Sequence, residues 1–418
     1  MSETHSPLSG LTAPGRPLAP FRFPAFRAIW TANLASNVGS MIQSVGAAWL
    51  MTDLTKSHQL IALVQASTTL PVMLLAVLAG AIADNHDRRL VMLAAQACML
   101  LASALLAALT WADMINPVSL LALTLTVGAG TALNGPAWQA SVRLQVGPED
   151  LPQAISINTI AFNLARSVGP AIGGLLISLA GPATAFAINS LSYIALIVVL
   201  LRWHPEMPSR QRQPIFASIA AGIQFCAGSS PLRRVLSRGF AFGFAGIGYL
   251  ALVPVLVREQ LHGSEVDFGL LLGAYGLGSI ITALWVAPAR RRWGSERLLG
   301  AAQTAFALAL LPIAGATSLA PALVCAMVAG GGWVATLSTL NVAMQLRSPE
   351  AILGRCLAIY QAVTFGGMAV GAYAVGIVSD YIGIADTLRA AAVLLLVLLP
   401  ILHRLAPMPA RHEGRVLG

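Results

Sequence analysis

Residues Gly80 to Arg89 read GAIADNHDRR, a short charged break between two long apolar runs. An apolar helix ends in Gly80-Ala-Ile-Ala83, the chain is expected to turn through Asp84-Asn-His-Asp87, and Arg88 and Arg89 open the next run. Two arginines at the boundary of an apolar helix read as cytoplasmic anchors. Asp84 is placed to accept hydrogen bonds from backbone N–H groups or an arginine at a neighbouring helix end, where a helix dipole favours negative charge.

Outward from this break, apolar runs of about 20 residues recur, the length that spans a bilayer core of roughly 30 Å. Hydrophobic residues make up 57% of the 418 and charged residues 10%, with a mean hydropathy of +0.76. That composition places the chain among integral membrane proteins. Twelve spans are expected. The first six are 28–51, 60–82, 90–112, 118–145, 154–179 and 184–201. The second six are 234–257, 268–288, 298–316, 319–345, 354–378 and 384–403. Spans 154–179 and 354–378 are the most interrupted by Gly and polar residues. The opening MSETHSPLSG carries Glu3 where a cleavable signal has a basic region, so the first span is expected to insert as its own anchor.

The net charge of +9 is a topology signal rather than a sign of nucleic-acid binding. With an even number of spans and both ends cytoplasmic, Lys56, Arg258 and Arg389 lie outside and Arg166 lies in the membrane. This leaves 21 of the 25 basic residues facing the cytoplasm, while Asp53, Asp113, Glu259, Glu265, Asp267, Asp380 and Asp386 face out. Cys98, Cys226, Cys325 and Cys356 show no CxxC or CxxH spacing, so neither a disulfide framework nor a metal site is supported. No GxSxG, HExxH or Walker pattern occurs, and GAGTALNG at 128–135 lies inside an apolar helix, so it is no dinucleotide turn. No enzyme is expected, and transport without an ATP site is secondary.

The longest polar stretch, 202–233, separates an N-terminal half, 28–201, from a C-terminal half, 234–403. Residues 1–27 and 404–418 are expected as cytoplasmic ends. Within the linker, Ile215, Ile219, Ile223 and Cys226 recur at helical spacing, which fits either an amphipathic helix on the inner membrane surface or a loosely ordered connection. The halves echo each other. Pro148-Glu149 recurs as Pro349-Glu350, Ala94-Ala95-Gln96 as Ala301-Ala302-Gln303, and Gly169 and Gly174 as Gly371 and Gly376 at an offset of 202. Parallel six-helix repeats place a substrate cavity between the halves near the midplane. No acid in 287–292 corresponds to Asp84, so a charged latch is expected on one half only.

Arg166 stands 12 residues into the fifth span, about 18 Å along a helix. A charge there is costly unless paired or wetted, so it is expected to face the central cavity, with Asn163 one turn away. Two readings stand: an anchor for an anionic substrate group by bidentate contact, or a structural arginine bonded to helix carbonyls and Asn side chains of the first or fourth span. Asn33, Asn37, Ser40 and Ser44 form a polar stripe on the first span, either a cavity wall or helix–helix glue. Gln65, Thr68, Asn134, Trp138, Tyr249, Tyr275, Trp333, Tyr360 and Thr364 are further candidates for the wall. No Asp, Glu or His lies deep in the spans, although proton-coupled transporters often use such a group. Coupling to a proton gradient is then expected to run through a helix end or the substrate.

The break at Gly80–Arg89 resembles the loop G-x-x-x-D-x-x-x-R-[RK] of major facilitator superfamily transporters, with Gly80, Asp84, Arg88 and Arg89 on its key positions. The usual Gly three residues after the Asp is Asp87 here, a departure shared by the secretion-effector branch of that superfamily. Gly169-Pro170-x-x-Gly173-Gly174 resembles the helix-5 signature of its exporters, where small residues and a bending proline allow packing and gating. Ala48-Trp49-Leu50-Met51-Thr52, Gly135-Pro136-Ala137-Trp138 and Asn163-x-x-Arg166 match the same branch, and the likeness runs from Phe26 to Gly383.

The resemblance implies an all-α, twelve-span protein of the bacterial inner membrane that exports amphipathic organic molecules, siderophore-like or drug-like, by alternating access. It implies no cofactor beyond a proton gradient, no partner beyond a small-molecule substrate and the bilayer, and a monomer. The Asp84 latch is expected to dock near Gly354-Arg355. A solute importer is a further reading. So is a non-transporting membrane sensor or assembly partner, for which only 202–233 and 404–418 offer soluble surface.

Overall fold

The computed structural model describes residues 18–205, 215–349 and 352–408, without the side chains of Asp84 and of residues 215–218. All regular structure among them is helical. In the first half, α1 spans Pro24–Leu54, α2 His58–Asn85, α3 Arg88–Trp111, α4 Pro117–Ser141 and α5 Leu151–Arg202. A linker helix, α6, covers Ile215–Gly228. The second half holds α7 (Ser230–Gly246), α8 (Gly248–Val255), α9 (Glu265–Trp293) and α10 (Ser295–Ala314). It ends in α11 (Leu319–Gln345), α12 (Leu353–Ile382) and α13 (Ile384–Leu405).

Among the described residues, ten helical segments are long and apolar enough to cross a membrane. One of them, Pro148–Arg202, has 55 residues, about 80 Å of helix, and makes two crossings by breaking at Gly181, where φ is 76° and ψ 167°. The 31-residue α1, more polar because of its Asn and Ser stripe, supplies the twelfth. α7, α8 and a π turn at Leu256–Gln260 run on as a single crossing. Twelve crossings bring the start of α1 and the end of α13 to one end of the bundle, called here the terminal end; the opposite end is the distal end.

The internal repeat is a repeat of packing. A Cβ on Gly169 would meet Met41 of α1, and one on Gly371 would meet the Phe244 backbone of α7, each inside its own half. Gly174 and Gly376 instead face across the halves, onto Glu265 of α9 and Gln59 of α2. The hairpins that follow share a backbone too: Gly383 has φ 82° and ψ 167°, matching Gly181. That region is open in practice only to glycine.

The Gly80–Arg89 break is tighter than expected. α2 runs on through Asp84 to Asn85, which leaves only His86 and Asp87 between helices. Asp87, at φ −60°, caps α3 by accepting the Arg89 N–H at 2.8 Å. Its counterpart in the second half is Gly294, at φ 79°. An N-capping carboxylate thus replaces a left-handed glycine.

The halves meet along two seams, α2 on α12 and α5 on α9. Toward the distal end both are tight: a Cβ on Gly174 would lie 2.4 Å from the Glu265 carbonyl, and one on Gly376 2.7 Å from Gln59 Cα. Toward the terminal end, Gly80 and Gly354 look into open space. The molecule is closed at its distal end.

The linker forms the amphipathic helix allowed by its spacing, yet it docks on protein. Gly222 abuts Arg355 and Ile359 of α12, and Cys226 is buried in the same cluster as Cys356, while Ile223 stays exposed.

Candidate functional site: a central cavity beneath a distal gate

Helix α1 is a three-sided post. Gly39, Gln43 and Gly46 pack on the second crossing of α5, where Asn189 donates to Gln43 Oε1 at 2.8 Å and to the Tyr193 hydroxyl at 3.0 Å. Val38, Met41, Ile42 and Val45 pack on the first crossing of α5, against Gly169 and Gly173. Between these faces runs the stripe of Asn33, Asn37 and Ser44, half-buried or exposed. Ser40, at its edge, is tied to the Tyr193 hydroxyl at 3.3 Å.

Ser44 lines a small cavity of about 70 Å³ between the halves. Its N-half wall mixes Ser44, Gln65, Thr68 and Thr124 with Ala47, Ala48, Ile61 and Val64; its C-half wall is Leu250, Ala251, Pro254, Phe268 and Leu272. The polar groups sit on the N-half wall alone, and the rest of the lining is apolar.

Arg166 is half-buried on α5, where the backbones of Arg166 and Ser167 touch Gly276 of α9. Its guanidinium makes no hydrogen bond or ion pair with any described residue, and its charge acts on Tyr275. Asn163 does not hold it; the Asn163 amide donates to the Thr159 carbonyl at 2.8 Å. The contrast with Arg238 is sharp. Arg238, 3% exposed, has Glu296 at 2.7 Å and the carbonyls of Ala406 and Leu402 at 2.7 and 3.0 Å. It is a buried arginine near the terminal end that the sequence had not singled out, and it is fully paired.

The remaining candidates spread. Tyr249 and Tyr275 stack at 5.4 Å, and Trp333 packs on Tyr275, Phe242 and Phe306. Both tyrosine hydroxyls are buried without a hydrogen-bond partner. Tyr360 donates to the Leu337 carbonyl and Thr364 faces Gly239, so these two fill the C-half interior. Trp138 packs beside Ile29 and Met92 inside the N-half, and the Asn134 carbonyl oxygen is buried and unpaired. Gly173 lies on Ile42 and Val45, and the Pro170 carbonyl on Gly269. Arg88 donates to the Ala140 carbonyl, and Arg89 to those of Leu200 and Leu201, which fastens the break to α4 and α5.

Above the cavity lies a polar gate that the sequence reading missed. The Trp49 indole donates to Glu265 at 3.0 Å and stacks on Phe268. Arg258, over the Trp49 ring, bonds Thr52 at 2.7 Å and pairs with Asp53. Asp380 accepts the backbone N–H groups of His58 and Gln59 at 2.7 and 3.1 Å and the Ser57 hydroxyl at 3.1 Å. His58 reaches Ser379 with Nδ1 and Glu259 with Nε2. Every one of these bonds joins one half to the other. The available signal was a histidine and four acids at span ends on one side of the membrane.

Two six-span halves around a central cavity sealed at one end define a major facilitator superfamily transporter. Residues 15–414 match the transmembrane secretion effector family, and the chain belongs to that family. It is 27% identical to the multidrug efflux pump Tap of Mycobacterium tuberculosis over 95% of this chain and 98% of that one. It is 28% identical to the enterobactin exporter EntS of Shigella flexneri over 84% of each. The staphyloferrin A transporter of Staphylococcus aureus is 24% identical, over 66% of this chain and 70% of that protein. Among solved structures, the nucleoside transporter NupG shares the fold with a TM-score of 0.74 at 13% identity, over 91% of this chain and 98% of that one.

Proposed function

We propose that this transporter exports amphipathic organic molecules bearing an anionic group from the cytoplasm across the bacterial inner membrane, by alternating access driven by the proton gradient. Arg166 carries the reading. It is a mid-span cation without a hydrogen-bond or ion-pair partner among the described residues, and a cargo carboxylate or phenolate is the group that would satisfy it. The two-sided cavity supports an amphipathic cargo. The arginine bias supports a cytoplasmic terminal end, so the distal gate faces outside. Cavity and gate are built within one chain, which suits a monomer. The Gly169-Pro170-x-x-Gly173-Gly174 run favours export. Asp84 serves as the latch of the outward-open state, docking near Gly354-Arg355 at the start of α12.

Multidrug efflux is the second reading, favoured by the apolar C-half wall and the likeness to Tap over 95% of the chain. Uptake of a labelled iron-free catecholate siderophore into inside-out proteoliposomes, with and without an acidic lumen, separates the two. Gradient-stimulated uptake that is lost in Arg166→Gln and kept in Asn163→Ala is the expected result. No uptake by folded protein in either condition removes the anionic siderophore and leaves drug efflux.

A further inference from the structure

We propose that His58 is a proton-binding residue of the distal gate, and that its protonation from the outside closes that gate. His58 stands at the first position of α2, in the N-half, and both of its ring nitrogens point at the C-half. Nδ1 lies 2.8 Å from Ser379 Oγ and 3.1 Å from the Ser379 carbonyl; Nε2 lies 3.2 Å from Glu259. Asp380 is 4.0 Å from Nδ1 and holds the His58 backbone N–H.

A neutral imidazole donates from one nitrogen only, and an imidazolium from both. The Ser379 hydroxyl, the nearer group to Nδ1, can donate to a neutral ring, whose Nε2–H then goes to Glu259. The charged ring donates from both nitrogens and stands between two carboxylates, Glu259 and Asp380, bridging the end of α12 to the turn after α8. The titratable groups facing it are Glu259 from that turn and Asp380 from α12. Around them, Arg258 is engaged by Asp53, Glu265 by Trp49, and Lys56 is exposed two residues away on the same loop. Parting of the halves carries α2 away from α12 and α8 and returns the ring to water. Closure and protonation therefore favour each other, and falling external pH shifts the population toward the distal-closed state.

This gives the transporter a proton-responsive group although its spans hold no deep carboxylate. Once cargo has left, an acidic exterior drives the empty protein back to the state that loads from the cytoplasm. The inference depends on the proposed orientation alone, and not on the cargo.

The test uses Ser44→Cys, just beneath the gate, as the single thiol after replacement of the four native cysteines by serine. A membrane-impermeant maleimide is applied outside right-side-out spheroplasts. With His58 intact, the labelling rate is expected to fall at least about fivefold between about pH 8 and about pH 5.5, corrected with free thiol for maleimide chemistry. His58→Gln should abolish the pH dependence, and His58→Arg, with a permanent charge, should label slowly at both pH values. Glu259→Gln should reduce the response. If His58→Gln fails to fold, His58→Arg carries the test, its fold checked by monodispersity in detergent. Labelling that ignores pH with His58 intact, whether fast or absent, overturns the proposal, as does a pH response preserved in His58→Gln. If the orientation alone is wrong, the response moves to inside-out vesicles.

Discussion

Arg166 and Arg238 show how one residue type takes opposite roles at two depths. Arg238 is enclosed by Glu296 and two carbonyls, and its charge is spent on structure. Breaking such a pair from one side strands a desolvated cation. Because the Glu296 side chain is 29% exposed, Glu296→Gln should cost about 1–3 kcal/mol, less than a fully buried pair. A lowered melting temperature in detergent would register it. Arg166 has no such partner to lose. Arg166→Gln should leave thermal stability unchanged and weaken transport of an anionic cargo about 10–100-fold, the worth of a charged hydrogen bond. Arg166→Lys should recover part, since it restores the charge without the planar fork. A fall in melting temperature with transport unchanged would return Arg166 to a structural role. The sequence placed Arg166 in the membrane from its position alone. That it lacks a partner depends on Asn163 bonding back to its own helix, which spacing does not reveal.

At the scale of elements, the twelve crossings were legible because bilayer thickness fixes their length and apolar composition marks them. The repeat was legible as glycines at a constant offset, and the structure adds that Gly181 and Gly383 turn the last hairpin of each half with one backbone shape. Nothing lies within 4 Å of a Cβ built on either glycine, so a substitution tests conformation alone. Gly181→Ala and Gly383→Ala should each cost about 1–3 kcal/mol without removing a contact. Equal drops in melting temperature would support equivalent hairpins, and an unaffected variant would show that its turn relaxes. The end of α2 was less legible. Asp84 and Asn85 read as turn residues, yet the cap at Asp87 lets the helix run two residues further. The gate was not legible at all. Its partners lie as far apart in the chain as Ser57 and Asp380, 323 residues, and only the α2–α12 seam brings them together.

For the whole molecule, that seam suggests how two states are held in balance. α2 and α12 run antiparallel, so each end of the pair sets the C-terminus of one helix beside the N-terminus of the other. At the distal end Asp380, in the last turn of α12, accepts the first N–H groups of α2. A carboxylate is misplaced at its own helix C-terminus and well placed at its neighbour's N-terminus, so the α2 dipole and N–H groups offset the unfavourable dipole of α12 when the two ends meet. At the terminal end Asp84 stands in the last turn of α2, opposite the start of α12, the mirror arrangement. If the proposed latch at Asp84 works as Asp380 does, each acid favours closure of its own end. Asp380→Asn, which keeps a single acceptor oxygen, should shift the population toward the distal-open state about fivefold or more. Asp84→Asn should shift it toward the terminal-open state and impair export while membrane insertion stays intact. Distances between spin labels across each end, measured in nanodiscs, read both shifts at once. The double variant should return near the starting populations yet transport slowly, because neither state is then held firmly. Shifts of the same sign in both single variants, or unchanged export in Asp84→Asn, would mean that the two acids do not act as opposed latches.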